Sequence, residues 1–136
     1  MSAGYSEKPL AQKLGIKQGY ALAFLNAPED YDRLLGKLPD GVTVIRELKD
    51  ELDFIHLFAM DRASLEREFP MLKARFKQDG MVWVSWPKGS SKLKTDLSDG
   101  AVREVGLKNG LVDVKICTVD KSWSALKFVR RSEDRL

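Results

Sequence analysis

Residues 42–60 read VTVIRELKDELDFIHLFAM, and their reading decides how the chain is wound. Val42 to Leu48 is rich in β-branched residues, and Asp53 to Met60 is an almost continuous apolar run, so each half reads as a strand. Only Lys49 to Leu52 separate the two. A crossover helix between parallel strands takes ~10 residues or more. The two runs therefore form either an antiparallel hairpin or a parallel pair joined by a very tight crossing.

The pattern extends in both directions. Upstream, YALAFL at Tyr20 to Leu25 has no period-2 polarity and suits a strand buried on both faces. Asn26-Ala27-Pro28 breaks it. Glu29 and Asp30 stand in the first turn of a helix running to about Leu38, with Tyr31, Leu34, Leu35 and Leu38 on one face. Pro39-Asp40-Gly41 is a turn. Before this strand, Pro9 starts a short helix that turns Leu10, Ala11 and Leu14 inward and ends at Gly15. Downstream, Asp61 caps a helix carrying Leu65, Phe69, Leu72 and Phe76 at helical spacing. Pro70 predicts a kink or a second short helix there, and Asp79-Gly80 closes the segment. Met81 to Trp86 is a fourth strand. The basic loop Pro87 to Lys94 leads to a helix capped by Thr95 or Ser98, running to about Lys108 and closed by Asn109-Gly110. Val112 to Val119 and Trp123 to Arg130 form a final pair of strands around Asp120-Lys121-Ser122, and the tail from Arg131 is expected to fray.

Alternating strands and helices up to residue 108 give a three-layer, Rossmann-like α/β fold. Its mostly parallel sheet has about six strands, and its C-terminal pair is antiparallel. The 136 residues fit one domain, 1–136, with neither an internal repeat nor a low-complexity tract. A hydrophobic share of 43% against 32% charged residues marks a globular chain. Net charge is +3, mildly basic, and bound nucleic acid usually asks for a clustered stripe. Cys117 is the only cysteine, which excludes an intramolecular disulfide and a cysteine-rich metal site. No apolar run approaches the ~20 residues that span a bilayer. The first residues lack the apolar core of a signal peptide. A cytoplasmic location is expected.

In an open α/β sheet, ligands gather at the carboxyl ends of the strands. Those ends are Asn26 to Asp30, Glu47, Met60 to Arg62 and Trp86 to Lys94, and they supply the candidate ligand residues Asn26, Glu47, Asp61, Trp86, Lys88, Ser90, Ser91 and Lys92. Mononucleotide sites need glycines after the first strand so that backbone can approach the ligand. None occurs between Tyr20 and Leu35. Pro28 removes a donor, and Glu29 and Asp30 repel phosphate. Glu47 has the spacing of a ribose-binding acid. PKGSSKLK at Pro87 to Lys94 combines lysines, hydroxyls and a glycine before a helix start, which suits an anion, although its spacing is not that of a P-loop. His56, the only histidine, lies among apolar residues and reads as a satisfied core side chain. Cys117 reads as a buried, inert thiol in mid-strand. Neither a metal-ligand cluster nor a nucleophile elbow is present in the sequence, so no catalytic residue is assigned.

Two resemblances follow from these stretches. LGIKQG at Leu14 to Gly19, LDFIHLF at Leu52 to Phe58, KQDGMVWV at Lys77 to Val84 and the terminal strand pair resemble the class I S-adenosylmethionine-dependent methyltransferases. Leu52 to Phe58 corresponds to that family's fourth strand, and Lys77 to Val84 to the turn into its fifth. This resemblance implies a parallel third strand. The chain departs from the family at the glycine-rich cofactor loop, replaced by Asn26-Ala27-Pro28-Glu29-Asp30, and at the helix after the second strand, reduced to Lys49 to Leu52. Only Glu47 matches an expected cofactor position. AGYSEKPLAQKLGIK, MVWVSWPKGSSKLKTDL and GLVDVKICTVDKSWSALKFVRR are similar to a family of small bacterial proteins of unknown function, which implies a bacterial source.

The expected function is a non-catalytic methyltransferase-like scaffold that binds a protein partner or a small anion at the strand ends. No cofactor is expected, and S-adenosylmethionine is disfavoured. An enzyme with an atypical cofactor loop is the alternative. A weaker one is nucleic-acid binding through Lys88, Lys92, Lys94, Arg130 and Arg131.

Overall fold

The computed structural model describes residues 9–48, 51–89 and 93–134. Six strands among them form one sheet: β1 (Ala21–Leu25), β2 (Thr43–Ile45), β3 (Leu52–Phe58), β4 (Phe76–Pro87), β5 (Leu111–Thr118) and β6 (Trp123–Arg130). The order across the sheet is β2-β1-β3-β4-β6-β5. The first four strands are parallel, and β6 runs antiparallel to both β4 and β5. Helices α1 (Leu10–Lys13) and α2 (Tyr31–Leu35) cover one face, and α3 (Arg62–Leu72) and α4 (Asp99–Lys108) cover the other. The fold is the Rossmann-like α/β architecture expected from the sequence.

The crossing from β2 to β3 is parallel, and the register explains how so short a link succeeds. β2 is three residues long, not the seven from Val42 to Leu48, and Ile45 lies beside Ala23. β3 enters two residues before Phe54, which lies beside Leu22. The link must therefore step sideways past β1, about 10 Å, and back by about three residues, again about 10 Å. Residues 46–51 reach about 20 Å when extended, so no helix is needed. Where the chain enters β3, Glu51 takes φ 63°, which is uncommon for a residue other than glycine.

Three other expectations are corrected. α2 stops at Leu35 rather than Leu38, because Gly36 turns the chain at φ 77°. Pro70 does not divide α3 in two; it falls in the last turn of one continuous helix. Asp79-Gly80 does not end a helical segment but lies inside β4, where Phe76 to Met81 is set against Leu52 to Phe54 as a bulge. A Cβ on Gly80 would sit 3.0 Å from the Asp53 carbonyl oxygen, which is why glycine stands there.

The core lies on both faces of β3 and β4. On the α3/α4 side, Leu65, Phe69 and Leu72 pack with Val102 and Val105 against Ile55, Leu57, Val82 and Val84. On the α1/α2 side, Leu14, Tyr31 and Leu35 pack against Leu22, Phe54, Phe58 and Trp83. The Trp83 indole donates to the Leu14 carbonyl at 2.8 Å, fastening the chain after α1 to the sheet. At the amino ends of the strands, Asp53 accepts the Ala21 amide at 2.7 Å and the Lys77 ammonium at 3.1 Å, fixing where β1 enters.

Candidate functional site

The carboxyl ends of β1 and β3 border a cleft of about 370 Å³, lined by Asn26, Pro28, Phe58, Met60, Glu68 and Trp123 among others. Its volume is at the lower end of small-ligand sites. Asn26 directly follows β1 and adopts φ 60°, a left-handed conformation that asparagine tolerates better than most residues. Its amide lies 3.2 Å from a Glu68 carboxylate oxygen and 3.4 Å from the Phe58 carbonyl. The end of β1 is thereby tied both to β3 and to α3. Pro28 follows, and its carbonyl accepts the Tyr31 amide at the start of α2.

Beneath the cleft is a polar network inside an aromatic wall. His56 is fully buried on β3; Nδ1 lies 2.5 Å from the Tyr31 hydroxyl and Nε2 lies 2.7 Å from Ser85 Oγ. A neutral imidazole has one donor and one acceptor, so two hydroxyls satisfy it completely. Burial lowers its pKa from 6.5 to about 3, and burial pushes the Tyr31 hydroxyl well above its ordinary range. Phe58 stacks on the imidazole at 4.2 Å between centroids, and Trp123 meets Phe58 edge-on at 5.1 Å. His56 is therefore the satisfied core histidine read from the sequence, closed to solvent.

Acids surround the start of α3. The Asp61 carboxylate accepts the Ser64 amide at 2.8 Å, the N-cap that the sequence predicts, and this bond holds its pKa down. Asp96 accepts the Arg62 amide at 2.8 Å. The Arg62 guanidinium bonds Glu104 of α4 and meets Glu66 at 3.1 Å. Two carboxylates thus already occupy the amides where an anion would sit at this helix start.

The eight residues read from the sequence do not converge. Asn26 lines the cleft, and Asp61 adjoins it through Met60. Glu47 is exposed beyond β2 and is not among the cleft residues. Trp86 is buried against the α3/α4 side of the sheet, away from Trp123, which does line the cleft. Lys88 is half-buried, and its amide donates to the Ser122 carbonyl at 2.8 Å, binding the loop to the β5–β6 turn. Ser90, Ser91 and Lys92 lie outside the described residues. The sequence reading placed Met60 at a strand end but missed Glu68 and Phe58. Glu68 was legible as a polar position on a capped helix, but nothing in the chain order pairs it with Asn26. Cys117 is half-buried rather than buried, and burial raises its thiol pKa. No group of three metal-ligating side chains occurs among the described residues.

Solved structures that share this architecture include S-adenosylmethionine-dependent methyltransferases. A SAM-dependent methyltransferase from Aquifex aeolicus matches with 14% identity and a TM-score of 0.58, over 86% of this chain and 85% of that one. A TehB-like SAM-dependent methyltransferase from Corynebacterium glutamicum matches with 10% identity and a TM-score of 0.57, over 93% and 90%. Magnesium protoporphyrin IX methyltransferase from Synechocystis matches with 8% identity and a TM-score of 0.55, over 90% and 78%. At these identities the likeness is one of fold, and it agrees with the resemblance read from the sequence. No family model and no curated protein matches the chain, so the likeness to an uncharacterised bacterial family rests on the sequence stretches alone. Among the described residues, no helix is long and apolar enough to cross a membrane.

Proposed function

We propose that this chain is a non-catalytic methyltransferase-like scaffold whose cleft at the ends of β1 and β3 receives a basic segment of a protein partner. The observation that carries this reading is the tie from Asn26 to Phe58 and Glu68. A glycine-rich loop would leave open backbone for a cofactor at this place. Here an asparagine side chain spans it, Pro28 offers no amide, and the helix that follows has five residues. The residues present do not fit S-adenosylmethionine, and Glu47, the one acid at an expected cofactor position, stands apart from the cleft. The charge of the cleft favours a cation over an anion: Glu68 is the charged residue among those lining it, and Asp61 adjoins it. A partner arginine or lysine would meet the Glu68 carboxylate while its stem lies on Met60 and Trp123.

Isothermal titration with S-adenosylmethionine should give no heat of binding; micromolar binding would restore the enzyme reading. Titration with a short oligoarginine peptide should change Trp123 fluorescence, and Glu68→Gln should remove that response. An unchanged response in Glu68→Gln would overturn the cleft assignment.

A further inference from the structure

Four lysines from two distant segments of the chain meet on the outer part of the sheet face beside α1. Lys115 on β5 and Lys127 on β6 are register partners, so their side chains leave the same face. Lys13 closes α1; its Nζ lies 3.5 Å from the Thr118 carbonyl of β5. Lys115 Nζ in turn donates to the Lys13 carbonyl at 3.4 Å. Lys17 stands in the loop after α1, close enough for its charge to act on Lys127. Among the described residues, none of the four takes part in an ion pair. The acids of the same hairpin are engaged elsewhere. Asp113 pairs with Arg103 of α4 at 2.8 Å, and Asp120 accepts the amides of Ser122 and Trp123.

Like charges directly opposite on paired strands destabilise a sheet. Here the opposition is compounded by two further ammonium groups, and no ion pair among the described residues relieves it. Lys127 bears the consequence: burial, then Lys115 and Lys17, lower its pKa. A counter-ion would remove the repulsion.

We propose that Lys13, Lys17, Lys115 and Lys127 form a surface for the phosphate backbone of a single-stranded nucleic acid, held without reading its bases. The form of the surface supports a strand over one compact anion. The charges come from a helix end, a loop and two strands at the outer part of this face, Lys17 and Lys115 exposed, and a run of phosphates presents charge at intervals in the same way. Lysine ammonium groups act as point charges, which position a backbone without selecting sequence. The net charge of +3 steers the same class of ligand toward the molecule. This surface is separate from the cleft at β1 and β3, and the proposal stands independently of the scaffold reading.

The test is fluorescence anisotropy with labelled oligouridine across a salt series. Four phosphate contacts on a single strand give a slope of about −3 in log affinity against log salt, or roughly 50-fold weakening between 50 and 200 mM. Lys17→Gln and Lys115→Gln should each make the slope shallower by about 0.7, while Lys108→Gln, on α4 across the sheet, should leave it unchanged. Lys17 is exposed in a loop, so its variant reads the surface even if Lys115→Gln perturbs the hairpin. Absence of binding at 50 mM salt, equal loss in Lys108→Gln, or competition by polyglutamate as effective as by polyuridine would each overturn the proposal.

Discussion

His56 shows how much a single residue can fix. Its ring has no exposed surface, and both nitrogens are engaged by hydroxyls from α2 and β4. The folded state holds it neutral down to about pH 3, while in the unfolded chain it takes a proton near 6.5. Between those values the unfolded state binds more protons, so stability falls as the pH falls. The contribution is complete above about pH 6.5 and is lost by up to about 1.4 kcal/mol per pH unit toward pH 3. Urea unfolding at pH 7, 5 and 4 should show midpoints moving steadily down. His56→Leu should flatten that dependence. It should also lower stability at pH 7 by about 2 kcal/mol, since it leaves the Tyr31 and Ser85 hydroxyls unpaired in the core. A wild-type profile that is level between pH 7 and 4 would refute the neutral, satisfied state. The sequence announced a core histidine through its apolar neighbours. It did not announce the partners, because Tyr31 and Ser85 lie on other elements and only the sheet register brings them near.

At the scale of elements, α4 and β6 meet through one missing side chain. Gly106 is buried in α4, and a Cβ there would lie 2.0 Å from Phe128 Cε1. Phe128 is itself fully buried and packs edge-on against Phe69 of α3 at 5.6 Å, so its ring has nowhere to move. Alanine in place of helical glycine ordinarily gains about 1 kcal/mol. Here overpacking costs about 1–3 kcal/mol. Gly106→Ala should therefore lower the urea midpoint, and Phe128→Leu in the same chain should recover part of the loss. A more stable Gly106→Ala would mean that the helix does not seat on Phe128. The caps at Asp61 and Ser98 were readable because side chain and amide lie three residues apart. Gly106 inside an apolar helical run carries no such local sign, since its reason is a ring on a strand more than twenty residues later. The β2–β3 link was ambiguous for a related cause. Its length permits a parallel crossing only once β2 is known to stop at Ile45.

For the whole molecule, the sheet is a single wall between two apolar layers, and β3 and β4 contribute to both. We expect the described chain to unfold as one unit, because neither layer keeps a partner without the sheet. Trp83 and Trp123 belong to the α1/α2 side and Trp86 to the other. Single-tryptophan variants should give fluorescence transitions that coincide with each other and with circular dichroism. Separated midpoints would show that the faces melt independently.

The sequence by itself determined the alternation of elements, the buried central strands, the antiparallel ending and the loss of glycines after β1, because these rest on periodicity and local chemistry. Only the tertiary structure decided which side chains meet. It joined Asn26 to Glu68, moved Trp86 to one face while leaving Trp123 in the cleft, and separated Glu47 from both. It also drew Lys13, Lys17, Lys115 and Lys127 together, whereas the sequence directed attention to Lys88, Lys92 and Lys94. The physical reason is that strand order and register set distances between residues remote in the chain, and neither leaves a trace in the local pattern of any one segment.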